Sequence, residues 1–264
     1  MTNTRSDAVY GRNPVYEVLR AGRRAVHHLL VDQRAKPQGR LADVVREAHL
    51  HSIDVRYVDR AELDSRAQNH QGVLAIVGGF PYVAVEAMLS LADQRNEPPL
   101  VLALDQVQDP QNFGTLIRTA EAVGVHGIII PRARAVGITP AVVSASAGAC
   151  EHCLIATENL DQAIRTLKAG GLWVAGLEQG PEARDLGEVD WSGPVMLVVG
   201  SEGTGLRALV RRRCDFTVEI PMRGRIDSLN AAVAGSVVLY AIWAARGYAG
   251  ARPGRGGATP GPEH

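Results

Sequence analysis

Residues 195–206 read VMLVVGSEGTGL: six residues without a polar side chain, then a glycine loop with Glu202 at its centre. An unbroken apolar run of this length is the pattern of a strand buried on both faces, whereas a half-exposed strand would alternate. The same signal recurs on either side, in VLALD (101–105), GIIIP (127–131), CLIA (153–156), LWVAG (172–176) and FTVEIP (216–221). Helical spacing fills most of the gaps, as the crossovers of parallel strands require. Residues 100–247 are therefore expected to form an α/β domain around a parallel sheet.

The N-terminal part reads as a smaller α/β domain over residues 1–81. Asn13-Pro14 looks like the cap and first turn of a helix running to Arg20, with Gly22 just beyond it. VHHLLVD (26–32), IDVRYVD (53–59) and GVLAIVGGF (72–80) read as strands, and 38–50 as a helix with Leu41, Val44, Val45 and Ala48 on one face. From Pro81 to Pro99 the periodicity fades into the turn-rich QRNEPP, so 82–99 is expected to be a linker. The Gly- and Pro-rich segment 248–264 reads as a disordered tail.

The 264 residues are 46% hydrophobic and carry a formal net charge of +0, so the total announces no polyanion partner. Charge is local instead: residues 1–81 hold 12 Lys+Arg against 9 Asp+Glu, and five of the eight His. No run approaches the roughly 18 to 20 apolar residues of a membrane span, and the start lacks the apolar core of a signal peptide, which points to a cytoplasmic protein without membrane contact. Three cysteines argue against a disulfide framework. Cys150-Glu151-His152-Cys153 is a CxxC, but a structural zinc needs four ligands and no second pair exists; the expectation is no metal and buried or incidental thiols.

Ligands of open parallel sheets bind beyond the carboxyl ends of the strands. Three loops there are unusual. In DQVQDPQNFGTLIRTAEAVGV (105–125), Asn112 is positioned to cap a helix, and Arg118 lies on a different face from Leu116, Ala120 and Val123; a plain cap and a solvated charge explain both equally well. VVGSEGTGL (198–206) is neither GxGxxG nor a loop ending in GK[ST], so a dinucleotide or triphosphate is poorly supported. Its carboxylate suits a neutral hydroxyl or a cationic ligand. In IPMRGRIDSLNAAVAG (220–235), Asp227 or Ser228 reads as the helix cap and the alanines as close packing, which leaves Asn230 unexplained, since Asn is a poor residue inside a helix.

Taken together, DQVQDPQNFGTLIRTA, VVGSEGTGL and IPMRGRIDSLNAAVA resemble the three signature motifs of the SpoU (TrmH-type) branch of the SPOUT RNA 2′-O-ribose methyltransferases, in that family's order and spacing. VYGRNPVYEVLRAGRR and NHQGVLA resemble the L30e-like RNA-binding domain of its 23S rRNA (guanosine-2′-O-)-methyltransferase subgroup. The likeness covers residues 8–247. Ala231-Ala232 departs from the Val-Ser common in relatives, leaving Ser228 and Asn230 intact.

The resemblance implies a sheet whose last third threads a trefoil knot, a homodimer through the knotted domain, and S-adenosylmethionine as cofactor. It implies a cofactor site of Leu177, Glu178, Gly200, Ser201, Glu202, Gly203, Ile220, Pro221, Met222, Ser228 and Leu229, and a catalytic set of Asn112, Arg118, Glu202, Ser228 and Asn230. The substrate would be RNA, because only RNA carries the 2′-hydroxyl. Arg118, always protonated, is a poor base and better suited to hold the phosphate beside the target ribose, leaving Glu202 to position the hydroxyl or take its proton and Ser228 and Asn230 to hydrogen-bond around it. Arg12, Arg20, Arg23 and Arg24 are the candidate phosphate contacts of the first domain. Alternatives are a methyltransferase for tRNA or another rRNA nucleotide, a non-catalytic RNA-binding paralogue and, disfavoured by the missing glycine motif, a dehydrogenase.

Overall fold

Two sheets organise the chain in the computed structural model, which describes residues 7–132 and 136–252. The N-terminal sheet contains β1 (Asp7–Tyr10), β2 (Val26–Asp32), β3 (Asp54–Val58) and β4 (Val73–Val77) in the order β1-β4-β2-β3, with only β2 and β3 parallel. Helices α1 (Arg12–Ala21) and α2 (Arg40–Leu50) cover one face, burying Val15, Val18, Leu41 and Val44 against Leu29, Val31 and Ala75. The short α3 (Arg60–Asp64) covers part of the other through Leu63, Leu30 and Leu74.

The anticipated strands and helices of this domain are present, but its beginning differs. Strand β1 runs straight into α1 through Gly11, whose φ of 92° only glycine adopts readily. The helix therefore starts at Arg12 with no side-chain cap, and Asn13 lies inside its first turn. Gly22 closes it in the left-handed conformation, its N–H bonded to the Val18 carbonyl.

The second sheet has seven strands: β5 (Leu100–Asp105), β6 (Gly127–Pro131), β7 (Ile155–Glu158), β8 (Trp173–Leu177), β9 (Arg184–Asp185), β10 (Val195–Gly200) and β11 (Phe216–Glu219). They are all parallel in the order β7-β6-β5-β10-β8-β11-β9, and every residue of β5, β6 and β10 is buried. Each predicted run is a strand, CLIA starting two residues late because Ala149–His152 form a 3-10 turn.

The expected linker is a correction. Residues 82–99 contain α4 (Glu86–Arg95), whose Met88 and Ala92 are buried, and Met88 shares a core with Val101, Ala103 and Ile129. A Cβ on Gly127 would come within 2.3 Å of the Met88 side chain, so the segment is part of the second domain's packing. The tail reading also moves. Residues 248–252 fold back on the preceding helix, Trp243 Nε1 donating to the Ala249 carbonyl at 2.9 Å with the Tyr248 ring 5.0 Å from that of Trp243. Residues 253–264 lie outside the described residues.

Helices α5 (Pro110–Ala122), α6 (Pro140–Ala145), α7 (Leu160–Ala169), α8 (Ala208–Arg213) and α9 (Ala231–Ala245) complete the domain. The small residues opening α9 let it lie close against α5 and β10. A Cβ on Gly235 would meet Leu116 at 2.7 Å and Val199 at 3.1 Å, and Ser236 and Thr119 share a 2.8 Å hydrogen bond. That packing brings the start of α9 beside the start of α5.

Candidate active site

Where β5, β10 and β11 end, the three unusual loops converge. Gly200 ends β10 so tightly under the returning chain that a Cβ there would lie 2.4 Å from the Gly205 carbonyl carbon and oxygen. Ser201 and Gly205 then close the loop with a pair of backbone hydrogen bonds of 3.2 and 3.1 Å, and Gly203 and Gly205 take positive φ of 77° and 62°. This holds Glu202 at the loop's tip. Its far end is tied down by Asp105, fully buried at the end of β5, which accepts from the Arg207 backbone N–H at 2.8 Å and from Arg207 Nε at 2.6 Å.

Two helix caps build the rest. Asp109, not Asn112, caps α5: its carboxylate accepts from the Asn112 N–H at 3.0 Å, and Pro110 occupies the first turn. The Asn112 side chain is thereby released. At α9 the cap is Asn230, and neither Asp227 nor Ser228: Asn230 Oδ1 accepts from Ala232 N at 2.9 Å and Val233 N at 3.2 Å. Its amide nitrogen donates to Asn112 Oδ1 at 3.0 Å and to Glu202 Oε1. One side chain thus satisfies the helix terminus with its oxygen and joins the other two motifs with its nitrogen.

Two cavities meet at this junction. The larger, about 560 Å³, is walled by Leu177, Val199, Ile220, Met222 and Leu229, by the 200–205 loop and by Glu178, Glu202 and Glu219. Among the described residues its lining contains three carboxylates and no Lys, Arg or His. The smaller, about 350 Å³, lies on the α5 side between Gln106, Asp109 and Asn112 and shares Ser201, Glu202, Thr204 and Ala231 with the first.

Of the anticipated catalytic residues, the structure joins Asn112, Glu202 and Asn230 and puts Ser228 on the wall of the larger cavity. All the anticipated cofactor residues line that cavity except Pro221. Arg118 is not with them: it is exposed two turns along α5, lining a cleft between the domains together with Arg20 and Arg40. Asp105 was missed, since a buried carboxylate at a strand end has no sequence signature apart from its partner a hundred residues away. Glu178 was anticipated, but its ion pair with Arg211 was not.

The expected phosphate contacts need correcting. Arg24 is buried in an ion pair with Glu151, and Arg23 donates to the carbonyls of Pro81, Glu151 and Cys153. Neither is free for RNA. Arg12 is tied to Gln71 by its backbone N–H and its Nε, while Arg20 stays half exposed beside Glu17. Burial pushes the Cys153 thiol up to about 12 and raises Cys150 further, the opposite of a reactive thiolate. Among the described residues no group of three or more His, Cys, Asp or Glu is arranged to hold a metal.

The sequence profile of the SpoU rRNA Methylase family matches residues 99–240, and that of the RNA 2′-O ribose methyltransferase substrate-binding domain matches residues 8–83. YacO of Bacillus subtilis, assigned to the TrmH family of tRNA/rRNA methyltransferases, is 38% identical over 242 residues, covering 91% of this chain and 96% of its own. The 23S rRNA (guanosine-2′-O-)-methyltransferase RlmB of Coxiella burnetii is 38% identical over 237 residues, 89% of this chain and 94% of its own. Among solved structures, an AdoMet-bound rRNA methyltransferase from Sinorhizobium meliloti superposes with a TM-score of 0.73 at 28% identity, covering 91% of this chain and 87% of that one.

Proposed function

The chain belongs to the SpoU rRNA methylase family, and on that premise we propose that it is an S-adenosylmethionine-dependent 2′-O-methyltransferase acting on a ribose of 23S rRNA, a guanosine's. The observation that carries this reading is the Asn230 amide, which bonds to Asn112 and Glu202 where the two cavities meet. The likeness to RlmB over nearly the whole chain supports the rRNA target, and the match of residues 8–83 supports RNA as the partner of the first domain.

The larger cavity fits the cofactor. Its volume falls in the range of small-ligand sites, its walls combine apolar side chains with main-chain groups from a glycine loop, and its carboxylates, of which Glu178 is paired with Arg211, favour a cationic ligand over a phosphate. When bound, S-adenosylmethionine supplies an electrophilic methyl on a positive sulfur whose departure leaves a neutral thioether. The chain's own residues do the rest. The smaller cavity receives the nucleoside, and Glu202, reaching both spaces, accepts the hydrogen of the 2′-hydroxyl. Asn230 fixes the rotamer of Glu202 and holds the Asn112 amide toward the ribose, while Ser228 offers a further hydroxyl. Arg118, six residues beyond Asn112 and so about 9 Å along the helix, binds the phosphate next to the target ribose with its fork of donors.

Methyl transfer from labelled S-adenosylmethionine to unmodified 23S rRNA, followed by mapping of the 2′-O-methyl position, tests the reading; label in tRNA instead would move the target and keep the chemistry. Within it, Glu202→Gln is expected to lower single-turnover rates by about 10²- to 10³-fold at saturating S-adenosylmethionine. Near-normal rates would remove Glu202 as the base.

We place the enzyme in the cytoplasm; no described helix is long and apolar enough to cross a membrane. We propose further that the last third of the domain threads a trefoil knot and that two copies pair through it. Val233, Val237 and Tyr240 are 47%, 40% and 46% exposed along one stripe of α9, an apolar face at the spacing of a helix contact. Val237→Arg should convert a dimer into a monomer in sedimentation; a wild-type monomer at micromolar concentration would remove the dimer.

A further inference from the structure

Cys150-Glu151-His152-Cys153, the motif that suggested a metal, takes no part in the site above, yet its polar groups reach the N-terminal domain. We propose that this turn is a docking socket, with Glu151 as a positioning residue that fixes the substrate-binding domain relative to the helix bearing Asn112 and Arg118.

Arg24 and Glu151 come from opposite domains and are 2% and 1% exposed in their side chains. The pairing is two-pronged: Arg24 Nε donates to Glu151 Oε2 at 3.0 Å and Arg24 Nη2 to Glu151 Oε1. Such charges survive out of water only when each satisfies the other, so separating the domains without rehydrating both is unfavourable. Both side chains are buried in the docked state.

The neighbouring contacts point the same way. Arg23 donates to the Glu151 carbonyl at 3.3 Å and to the Cys153 carbonyl, which uses up main-chain acceptors of the socket itself. His152 Nε2 lies 2.8 Å from Glu17 Oε2 on α1. Gly148, at a φ of 87°, comes so close to α1 that a Cβ would meet Glu17 Cβ at 2.7 Å and Pro14 Cα at 3.1 Å. Both arginines also lie over the Phe80 ring, at 5.8 and 5.2 Å, which holds the connecting segment down. That segment is pinned onward, Tyr82 Oη accepting from Ile138 N at 2.9 Å and Val83 N donating to the Ile155 carbonyl at 3.0 Å.

On its other side the turn packs against α5, with Cys150 and Phe113 in one core. The substrate-binding domain is therefore referenced to the helix that carries Asn112 and Arg118, and RNA held by the first domain meets the site at a fixed offset. A buried ion pair adds little net stability over an apolar pair, but it rejects other dockings strongly, because any shift strands a charge. That is the property a ruler between two domains needs.

The kinetic consequence rests on the methyl-transfer reading; the docking does not. In full-length Glu151→Gln, the radius of gyration from small-angle scattering should rise and chymotryptic cleavage after Tyr82 should quicken at least tenfold. KM for an unmodified 23S rRNA transcript should rise about tenfold with kcat within twofold, and S-adenosylmethionine affinity should not change. The double variant Arg24→Met with Glu151→Met, which fills the space without charge, should restore the closed form and bring KM back to within threefold. A Glu151→Gln protein that stays closed, or one that opens with KM unchanged, overturns the proposal. Loss of cofactor binding also overturns it, since the turn would then support only the catalytic domain's fold. If the wild-type protein methylates no RNA, the proposed function fails, while scattering and cleavage still decide the docking.

Discussion

Asn230→Asp is expected to lower the rate of RNA methylation by about 10²- to 10³-fold, the cost of removing one aimed donor from a transfer site, while changing stability by no more than about 1 kcal/mol. Asp caps a helix as well as Asn does, and its charge suits a helix N-terminus, so the bonds from Ala232 N and Val233 N survive. The amide that donates to Asn112 Oδ1 and Glu202 Oε1 does not survive. Three acceptors then face one another, two of them charged, and Glu202 swings away. Asn230→Ala removes cap and donor together, so it should lose about 1 kcal/mol of stability as well as the activity. Single-turnover rates and thermal melts of the two variants separate the roles. An active Asn230→Asp beside a destabilised Asn230→Ala would make the residue a cap and nothing more.

Gly200→Ala should have the second large effect, on cofactor binding. A Cβ 2.4 Å from the Gly205 carbonyl has no flexible neighbour to push aside, because what it meets is backbone. The Ser201–Gly205 pair must open, and Glu202 moves with it. Overpacking of this kind costs about 1–3 kcal/mol; taken from ligand binding, that weakens S-adenosylmethionine by roughly 5- to 150-fold. Gly203→Ala is the control: its φ of 77° is strained for alanine, but nothing lies within 4 Å of the added carbon. Calorimetric titration should rank the two clearly. Equal affinities would mean that the loop does not shape the cavity.

The central strands were readable because burial on both faces leaves the same mark wherever it occurs, a continuous apolar run such as GIIIP or VMLVVG. The edges were not. β9 is two exposed residues, Arg184 and Asp185, and β1 is four residues whose end merges into a helix through Gly11. The site shows the same division. Asn230 stood out in the sequence as a residue that capping of the helix by Asp227 or Ser228 left over, but where α9 begins is set by where the loop from β11 rejoins α5, and that is tertiary. Counting charge likewise put Arg23 and Arg24 on an RNA surface, whereas Arg24 finds its carboxylate 127 positions away, at Glu151. A sequence shows which charges exist; their partners belong to the fold.

The strand order sets a schedule for biosynthesis. β10 sits between β5 and β8, so β5 pairs on that side with residues made 95 positions later, Leu100 against Val195. At a translation speed of about 5–20 residues per second, the middle of the sheet stays open for on the order of 5–20 s after β5 leaves the ribosome. The apolar edge of β5 is exposed throughout that interval and that of β8 during its last part, the condition under which nascent chains aggregate or recruit chaperones. The N-terminal domain waits less long, since its own central strand β4 pairs Val77 with Asp7, 70 positions earlier, and is complete at Val77. Nascent chains stalled with residues 1–190 outside the exit tunnel should therefore present a folded first domain and an unfinished second one.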